Sequence, residues 1–236
     1  MAAAAELPRR VVAEAVGSAL LLATVVGSGI MGERLASGNV AIALLANTLA
    51  TGAGLVALIL TFGPISGAHF NPAVTLVDAA GRGVAWRDVP AYLAAQVAGA
   101  FAGVVTAHVM FREPLLSLSQ HARSGPSQLV SEVVATFGLV SVILGCARAR
   151  PSAVPFAVGA YITAAYWFTS STSFANPAVT IARAFTDTFA GIRPVDAPGF
   201  IGAQLVGALL AMLLFRWLAP PPAAAVSAVL EEGTPR

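Results

Sequence analysis

Residues 174–185 read FANPAVTIARAF, and five of them, Asn176 to Thr180, spell NPAVT. The same pentapeptide occurs at Asn71 to Thr75, inside the stretch GAHFNPAVTL. Asparagine is among the best residues for capping a helix N-terminus, proline suits the first helical turn, and alanine continues the helix. Each copy therefore predicts the start of a short helix that leaves a polar loop.

The composition of the chain is typical of a membrane protein. Of its 236 residues, 57% are hydrophobic and 10% are charged, and the mean hydropathy is +0.81. A soluble domain carries about 25% charged residues. The net charge of +2 does not suggest a nucleic-acid partner, and the single Cys146 cannot form an internal disulfide. The sequence holds no nucleophile–base set, cofactor motif or metal-ligand spacing, so we expect no enzyme activity, no cofactor and no metal.

Six segments are long and apolar enough to cross a bilayer as helices, which takes roughly 20 residues. Two shorter stretches, near 67–80 and 173–187, cannot span a bilayer, and each contains one NPAVT. The tail after Leu218 is rich in proline and alanine, so we expect residues 219–236 to be disordered. The predicted spans are about 11–31, 40–62, 89–110, 129–148, 153–172 and 199–218.

The two halves of the chain repeat the same features in the same order. Glu14 lies early in the first span and Glu132 early in the fourth, while AQVAGAFAG at 95–103 matches AQLVGALLA at 203–211. One NPAVT lies between each pair, so the chain contains a duplicated three-helix unit. The duplication also predicts that the N-terminal run, which imitates a cleaved signal peptide, is retained as the first span.

Three spans per unit is an odd number, so the two copies must cross the membrane in opposite orientations. Inverted repeats place a transport site at the midplane, where helices are interrupted. We therefore predict an all-α membrane protein with six transmembrane helices and two re-entrant half-helices. It forms a single channel domain over residues 1–236, with repeat one at about 9–110 and repeat two at about 127–218.

The arginines predict the orientation of this domain. If the N-terminus lies inside, eight arginines fall on the inner side and five on the outer side. An excess of basic residues marks cytoplasmic loops, so we expect both termini in the cytoplasm.

Two half-helices that enter from opposite faces bring their N-termini together at the centre of the membrane. Irregular backbone at that depth persists only where it is buried or lines a watery cavity. The helix ends concentrate positive potential, which repels cations and protons, and the asparagine amides can donate hydrogen bonds to a passing solute. The pattern predicts a pore for neutral solutes. Its central residues are Asn71, Pro72, Ala73, Asn176, Pro177 and Ala178.

Six spans, GAHFNPAVT and FANPAVT between them, and one glutamate in each half resemble the aquaporin (major intrinsic protein) family over about residues 9–218. The resemblance implies a right-handed six-helix bundle in the lipid bilayer with two half-helices. It also implies a pore in each subunit and a homotetramer. It further implies passive transport without a cofactor.

Glu14 and Glu132 are ionisable residues inside apolar helices, where a charge is costly and needs a partner. We infer that they accept backbone N–H groups from the re-entrant loops and hold those loops extended, with carbonyls lining the pore. The resemblance implies the same. The alternative is a helix-end carboxylate that reaches water. Gln96 and Gln204 are interpreted as further loop braces, with plain helix–helix hydrogen bonding as the alternative.

The resemblance also gives the positions of a selectivity filter, counted from the two NPA motifs without gaps. Most family members read NPAR in the second copy, where the arginine narrows the pore and donates hydrogen bonds. In this chain the four filter positions carry small, uncharged side chains. They predict a wider, less charged and more apolar constriction, so we do not expect strict selection for water. The inferred filter residues are Thr51, Ala164, Ser173 and Val179.

Two further residues leave alternatives open. In the family, the position of His69 faces the cytoplasmic part of the pore, and packing against the loop backbone is the alternative. Arg183 lies four residues after Val179, on the same helix face and one turn further out. It either restores a positive group at the pore mouth or is a vestibule arginine paired with Asp187, and we favour the vestibule.

The NPAV motif with a small filter, followed by ARAFTDTFAGIRP, resembles aquaporins encoded in bacterial arsenic-resistance operons. That resemblance implies passage of arsenite, methylated arsenicals and polyols such as glycerol through a bacterial inner membrane. One alternative is a general glycerol or water facilitator. Another is a coupled secondary transporter, which needs an ionisable midplane residue that changes partners. A third is a structural membrane protein with a closed pore.

Overall fold

The computed structural model describes residues 5–218, which form α-helices, two short 3-10 turns and loops, without strands. The predicted disordered tail, 219–236, lies outside the described residues. Apart from α6, the long helices begin and end close to the predicted spans. The helices are α1 (Leu7–Leu35), α2 (Val40–Ser66), α3 (Pro72–Ala80), α4 (Val89–Phe111), α5 (Pro126–Ala149), α6 (Val154–Phe168), α7 (Pro177–Arg183) and α8 (Ala197–Leu218).

Matching helices of the two halves pack in the same way. Helix α1 packs against α4 and α2, α5 packs against α8 and α6, and α2 meets α6 and so joins the halves. A Cβ added at Gly99 of α4 would collide with the Ala15 carbonyl of α1. One added at Gly207 of α8 would collide with the Val133 carbonyl of α5. These glycines lie in the two matching stretches AQVAGAFAG (95–103) and AQLVGALLA (203–211), which therefore form equivalent close helix contacts.

The short helices α3 and α7 lie where the two halves meet. They contact each other and also α4 and α8. With 9 and 7 residues, they are too short to cross a bilayer. Their capping residues Asn71 and Asn176 are only 4% and 5% exposed. Each half-helix therefore starts inside the protein and runs outward from there.

Helix α6 is shorter than predicted. The sequence predicts a span at 153–172, whereas α6 has 15 residues and is preceded by a 3-10 turn at Pro151–Ala153. Five hydroxyl-bearing residues follow the helix, and such side chains compete for backbone groups. The Thr169 hydroxyl donates to the Ala165 carbonyl at 2.6 Å. In the described part of the chain, five helices are by themselves long and apolar enough to cross a membrane.

Candidate functional site

The asparagine of each NPAVT motif caps the half-helix that follows it. Oδ1 of Asn71 accepts the backbone N–H of Ala73 at 2.9 Å. Oδ1 of Asn176 accepts those of Ala178 and Val179 at 3.0 and 3.3 Å. A proline takes the first helical position in both copies, where its missing N–H is not needed. The local rule that predicts a helix start at NPA therefore holds twice.

The same two asparagines tie the two halves together. Nδ2 of Asn71 donates to the Ala175 carbonyl and Nδ2 of Asn176 donates to the Phe70 carbonyl, both at 2.7 Å. An amide group has two N–H donors, so each asparagine keeps one N–H without an acceptor among residues 5–218. Both asparagines line one cavity. Two N–H groups are therefore available to a molecule in that cavity.

The loops that lead into the half-helices hold matching strained backbone. We call residues 67–71 the first loop and residues 172–176 the second loop. Positive φ angles occur one and three residues before each asparagine. This left-handed region costs a non-glycine residue roughly 1–2 kcal/mol, and it persists only where surrounding contacts hold it. The angles are 49° at Phe70, 50° at Ala68, 47° at Ala175 and 49° at Ser173.

A buried glutamate anchors the backbone of each loop. Glu14 of α1 accepts the N–H groups of His69 and Phe70 at 2.9 and 2.7 Å. Glu132 of α5 accepts the two equivalent N–H groups of the second loop, both at 2.9 Å. Both glutamates are 0% exposed, so neither is a helix-end carboxylate in contact with water.

A glutamine on the neighbouring helix joins each glutamate to its half-helix. Nε2 of Gln96 donates to the glutamate of its own half at 2.8 Å and to the Thr75 hydroxyl at 2.9 Å. Nε2 of Gln204 makes the equivalent bonds at 2.6 Å, to the glutamate, and 2.9 Å, to Thr180. The sequence analysis did not predict that the two threonines accept these hydrogen bonds. Their position inside the repeated pentapeptide was a signal for this role.

A cavity of about 300 Å³ is lined by both loops and by α1, α2, α3, α5, α6 and α7. Half of the residues in its walls are valine, leucine or isoleucine. A few polar groups among apolar walls is the usual pattern of a site that orients a small molecule. The polar and charged side chains that line it belong to Thr51, His69, Asn71, Asp78, Tyr166, Ser173, Asn176 and Arg183.

The end of the cavity beside α3, here the first mouth, carries a histidine and a carboxylate. Nδ1 of His69 lies 3.1 Å from Oγ1 of Thr75, and its Nε2 lies 3.7 Å from Oδ2 of Asp78. His69 therefore packs against the half-helix and lines the cavity as well, so the two alternatives for it are compatible. Asp78 was not predicted from the sequence, although it lies only three residues after NPAVT.

The end beside α7, here the second mouth, carries positive charge. Arg183 is the last residue of α7, is 2% exposed and lines the cavity. Its Cζ lies 3.5 Å from the centre of the Phe174 ring, and its Nε donates to the Ala190 carbonyl. The Cζ of Arg123 lies 5.0 Å from the centre of the same ring. Arg123 and Phe174 were also missed from the sequence.

The predicted pairing of Arg183 with Asp187 is wrong. Residues four apart share a face only while a helix continues, and α7 ends at Arg183. The Asp187 carboxylate instead accepts the Gln120 backbone N–H at 2.8 Å. Arg183 thus has no carboxylate within ion-pair distance among the residues that the structure describes.

Comparisons with known proteins agree with this geometry. Residues 1–171 match the major intrinsic protein family. The chain is 59% identical, over 216 residues and 92% of each protein, to Aquaglyceroporin AqpS of Rhizobium meliloti (strain 1021). The chain belongs to the major intrinsic protein family. The resemblance drawn from the sequence is confirmed, and it places the chain among membrane channels for small solutes.

A plant aquaporin and one solved structure are also similar to this chain. Aquaporin NIP2-3 of Zea mays is 33% identical over 195 residues, which cover 79% of this chain and 63% of that protein. The structure of the aquaglyceroporin from Plasmodium falciparum superposes with a TM-score of 0.66 and 20% identity. That match covers 89% of this chain and 96% of the other. The predicted all-α, aquaporin-like fold is therefore confirmed.

One predicted filter residue of this major intrinsic protein is wrong. Ala164 is exposed on the outer face of α6 and does not line the cavity, whereas Ile162 and Tyr166 do. A helix turns by about 100° per residue, so an error of two residues moves a side chain to the opposite face. Helix α6 ends at Phe168 and a non-helical segment leads from it to the second loop, so counting back from Asn176 does not fix which face of α6 a residue takes.

The other three predicted filter residues line the cavity. Thr51, Ser173 and Val179 are 2%, 3% and 6% exposed, and all three belong to its walls. Tyr166 donates to Thr51 Oγ1 at 3.4 Å, so an aromatic ring lies beside Thr51. The sequence signal for Tyr166 was its place one turn from Ile162 on the buried face of α6.

Proposed function

We propose that this major intrinsic protein is a passive channel for small uncharged solutes, with trivalent arsenicals and polyols such as glycerol as the leading ones. The observation that carries the proposal is the cavity in which two half-helix N-termini and two free asparagine N–H groups face apolar walls. Positive helix ends disfavour cations and protons. A neutral solute with oxygen acceptors gains hydrogen bonds there without that penalty.

Small side chains beside the second loop support solutes larger than water. Val179 lies where most of the family carries arginine, and Thr51 and Ser173 are small neighbours in the cavity wall. Arsenous acid is a neutral polyhydroxy molecule at neutral pH, so it offers a pore the same hydrogen-bonding groups as glycerol. The 59% identity to a protein named an aquaglyceroporin supports the same class of solute.

The loop anchors support a channel whose shape does not change during transport. In this proposal Glu14, Glu132, Gln96 and Gln204 act as loop braces, and His69 lines the pore. The two carboxylates accept several hydrogen bonds from protein groups, four at Glu14 and three at Glu132, so a change of partner would break several bonds at once.

We further propose a homotetramer in a bacterial inner membrane with both termini in the cytoplasm. The excess of arginines in the segments that would face the cytoplasm supports this orientation. In it, the first mouth opens to the cytoplasm and the second mouth to the outside. Exposed leucines on the outer faces of α2 and α8, such as Leu45, Leu49, Leu209 and Leu213, supply contacts for lipid and neighbouring subunits.

The test is solute flux in proteoliposomes that contain the wild type or Val179→Arg. We expect the wild type to pass glycerol and arsenite, and the variant to exclude both because the longer side chain narrows the second loop. Val195→Arg is the matched control, since Val195 is 76% exposed in a loop, and it should behave as the wild type. Unchanged glycerol and arsenite flux through Val179→Arg would remove Val179 from the constriction, and a wild type without flux would reject the channel.

A coupled secondary transporter is the second candidate, and it needs a carboxylate that exchanges partners. The occupied hydrogen bonds of both glutamates argue against it. We expect flux that rises linearly with solute concentration and ignores a proton gradient. Saturation, or accumulation driven by a proton gradient, would favour the transporter instead.

A further inference from the structure

The second mouth contains a buried cation that the repeat does not require. Arg183 is 2% exposed, and the equivalent end of α3 carries no arginine. Burying a charge without an opposite charge is costly unless other groups compensate it. An apolar side chain would stabilise this position at lower cost, so the charge at Arg183 indicates a function.

Two groups hold the Arg183 guanidinium while leaving most of its donors unused. The Phe174 ring lies 3.5 Å from its Cζ, a distance at which the ring face attracts a cation. Nε donates to the Ala190 carbonyl. A guanidinium has five N–H donors, and the four on Nη1 and Nη2 have no acceptor within the described part of the chain. Because Arg183 lines the cavity, these four are available to solute oxygens.

A second arginine holds the ring on which Arg183 rests. Arg123 donates to the Gly191 carbonyl at 2.7 Å and to the Ser171 carbonyl at 3.1 Å, which places its own guanidinium over Phe174. Phe174 also meets Phe200 edge-on at 5.3 Å. Arg123 is not part of the cavity wall, so it is a positioning residue for Arg183 and not a solute contact.

We propose that Arg183, one helical turn outside Val179, is the cationic hydrogen-bond donor of this pore and shares its wall with the aromatic ring of Tyr166. This inference rests on the proposed channel function. Charge acts over several ångströms, whereas a side chain narrows a pore only at its own level. Separating the charge from the narrow level lets the channel exclude cations and protons while it leaves room at Val179 for solutes larger than water.

The geometry also gives the class of solute that Arg183 recognises. A planar guanidinium binds pairs of oxygen acceptors better than single ones. Neutral molecules with several hydroxyl groups, such as glycerol and arsenous acid, can use this fork. Urea offers a single oxygen, so it fills this fork less completely than two hydroxyl groups do. Arg183 therefore favours polyhydroxy solutes at the second mouth.

The experiment uses proteoliposomes with the wild type, Arg183→Leu, Arg183→Lys and the control Arg34→Leu. Arg34 is an exposed arginine paired with Glu113 at 2.7 Å. Light scattering reports glycerol and urea permeability, and pH- and potential-sensitive dyes report proton and potassium leak. We expect Arg183→Leu to raise the leak about tenfold or more and to lower the glycerol-to-urea ratio. Arg183→Lys should keep cations out but lose the glycerol preference, and Arg34→Leu should change neither.

Each outcome decides the proposal. An Arg183→Leu channel with the leak and the glycerol-to-urea ratio of the wild type would overturn it while the channel function stands. A wild type that passes neither solute would reject the channel function itself. If Arg183→Leu does not yield a folded protein, Arg183→Gln removes the charge but keeps a donor. A Gln variant that excludes cations as well as the wild type would also overturn the proposal.

Discussion

The first and second loops share most of their hydrogen bonds. Besides the capping asparagine, the glutamate and the glutamine, each loop is directly preceded by a serine that accepts a backbone N–H of the loop. Oγ of Ser66 accepts the Ala68 N–H at 3.1 Å, and Oγ of Ser171 accepts the Ser173 N–H at 3.2 Å. Strained backbone needs anchors at fixed atoms, so a duplicated loop keeps a duplicated set of anchors.

The two mouths differ in the side chain that binds the serine carbonyl and in the charged residue that lines the cavity. The Ser66 carbonyl is held by the Tyr92 hydroxyl at 2.9 Å, whereas the Ser171 carbonyl is held by the Arg123 guanidinium at 3.1 Å. The first mouth then presents Asp78 and the second mouth Arg183. The repeat therefore determines the backbone that lines the cavity, while residues specific to each half determine the charge at each mouth.

Removal of a buried glutamate tests the anchoring that the two loops share. It should have the largest effect on stability. Glu14→Ala leaves four donors without an acceptor and Glu132→Ala leaves three. Each buried orphan costs about 1–3 kcal/mol. We expect both variants to lose most of their thermal stability in detergent, Glu14→Ala more than Glu132→Ala. The exposed Glu33→Ala is the control, and a Tm like that of the wild type for either buried variant would contradict the anchoring.

Tyr92 and Arg123 donate hydrogen bonds to the two equivalent serine carbonyls. Replacing them tests the difference between the two mouths and should have a smaller effect on stability than removing a glutamate. Tyr92→Phe removes one neutral hydrogen bond, which contributes about 0.5–1.5 kcal/mol, whereas Arg123→Met removes charged ones, about 1.5–3 kcal/mol each. We expect Arg123→Met to lower the free energy of unfolding more, and to raise cation leak because Phe174 loses its support. The two variants serve as each other's control, since they free equivalent carbonyls. A greater loss in Tyr92→Phe would contradict the comparison.

Acid should loosen the second mouth slightly. Burial raises the pKa of Asp196, but hydrogen bonds from the Arg193 side chain and the Arg123 N–H, followed by the Arg193 charge, hold that pKa below its usual value. A lowered folded-state pKa means that the carboxylate stabilises the fold above its unfolded pKa. This contribution is lost as the pH falls through the folded pKa. We expect Asp196→Asn to weaken the acid dependence of Tm by a small amount. An unchanged acid profile would exclude Asp196 as its source.

Prediction from the sequence succeeded where a local rule was enough. The half-helix starts follow from Asn-Pro-Ala, because capping needs only the next few residues. The long helices follow from apolar length. It failed at Ala164 and at Asp187, because both depend on where a helix ends. A run of hydroxyl residues ends α6, and nothing in the spacing of the motifs reveals that end.

By itself, the sequence determined the family, the inverted repeat and the two capped half-helices, because each is written in short patterns that occur twice. Only the tertiary structure decided which side chains face the cavity, because a helix face depends on phase and on the neighbours packed against it. It placed Tyr166, and not Ala164, in the cavity wall. Among residues 5–218, it also left Arg183 buried on Phe174 with no carboxylate within ion-pair distance. The absence of arginine at Val179 can be read from the chain, but only the fold shows that Arg183, one turn further out, lines the cavity and lies on the Phe174 ring next to Arg123.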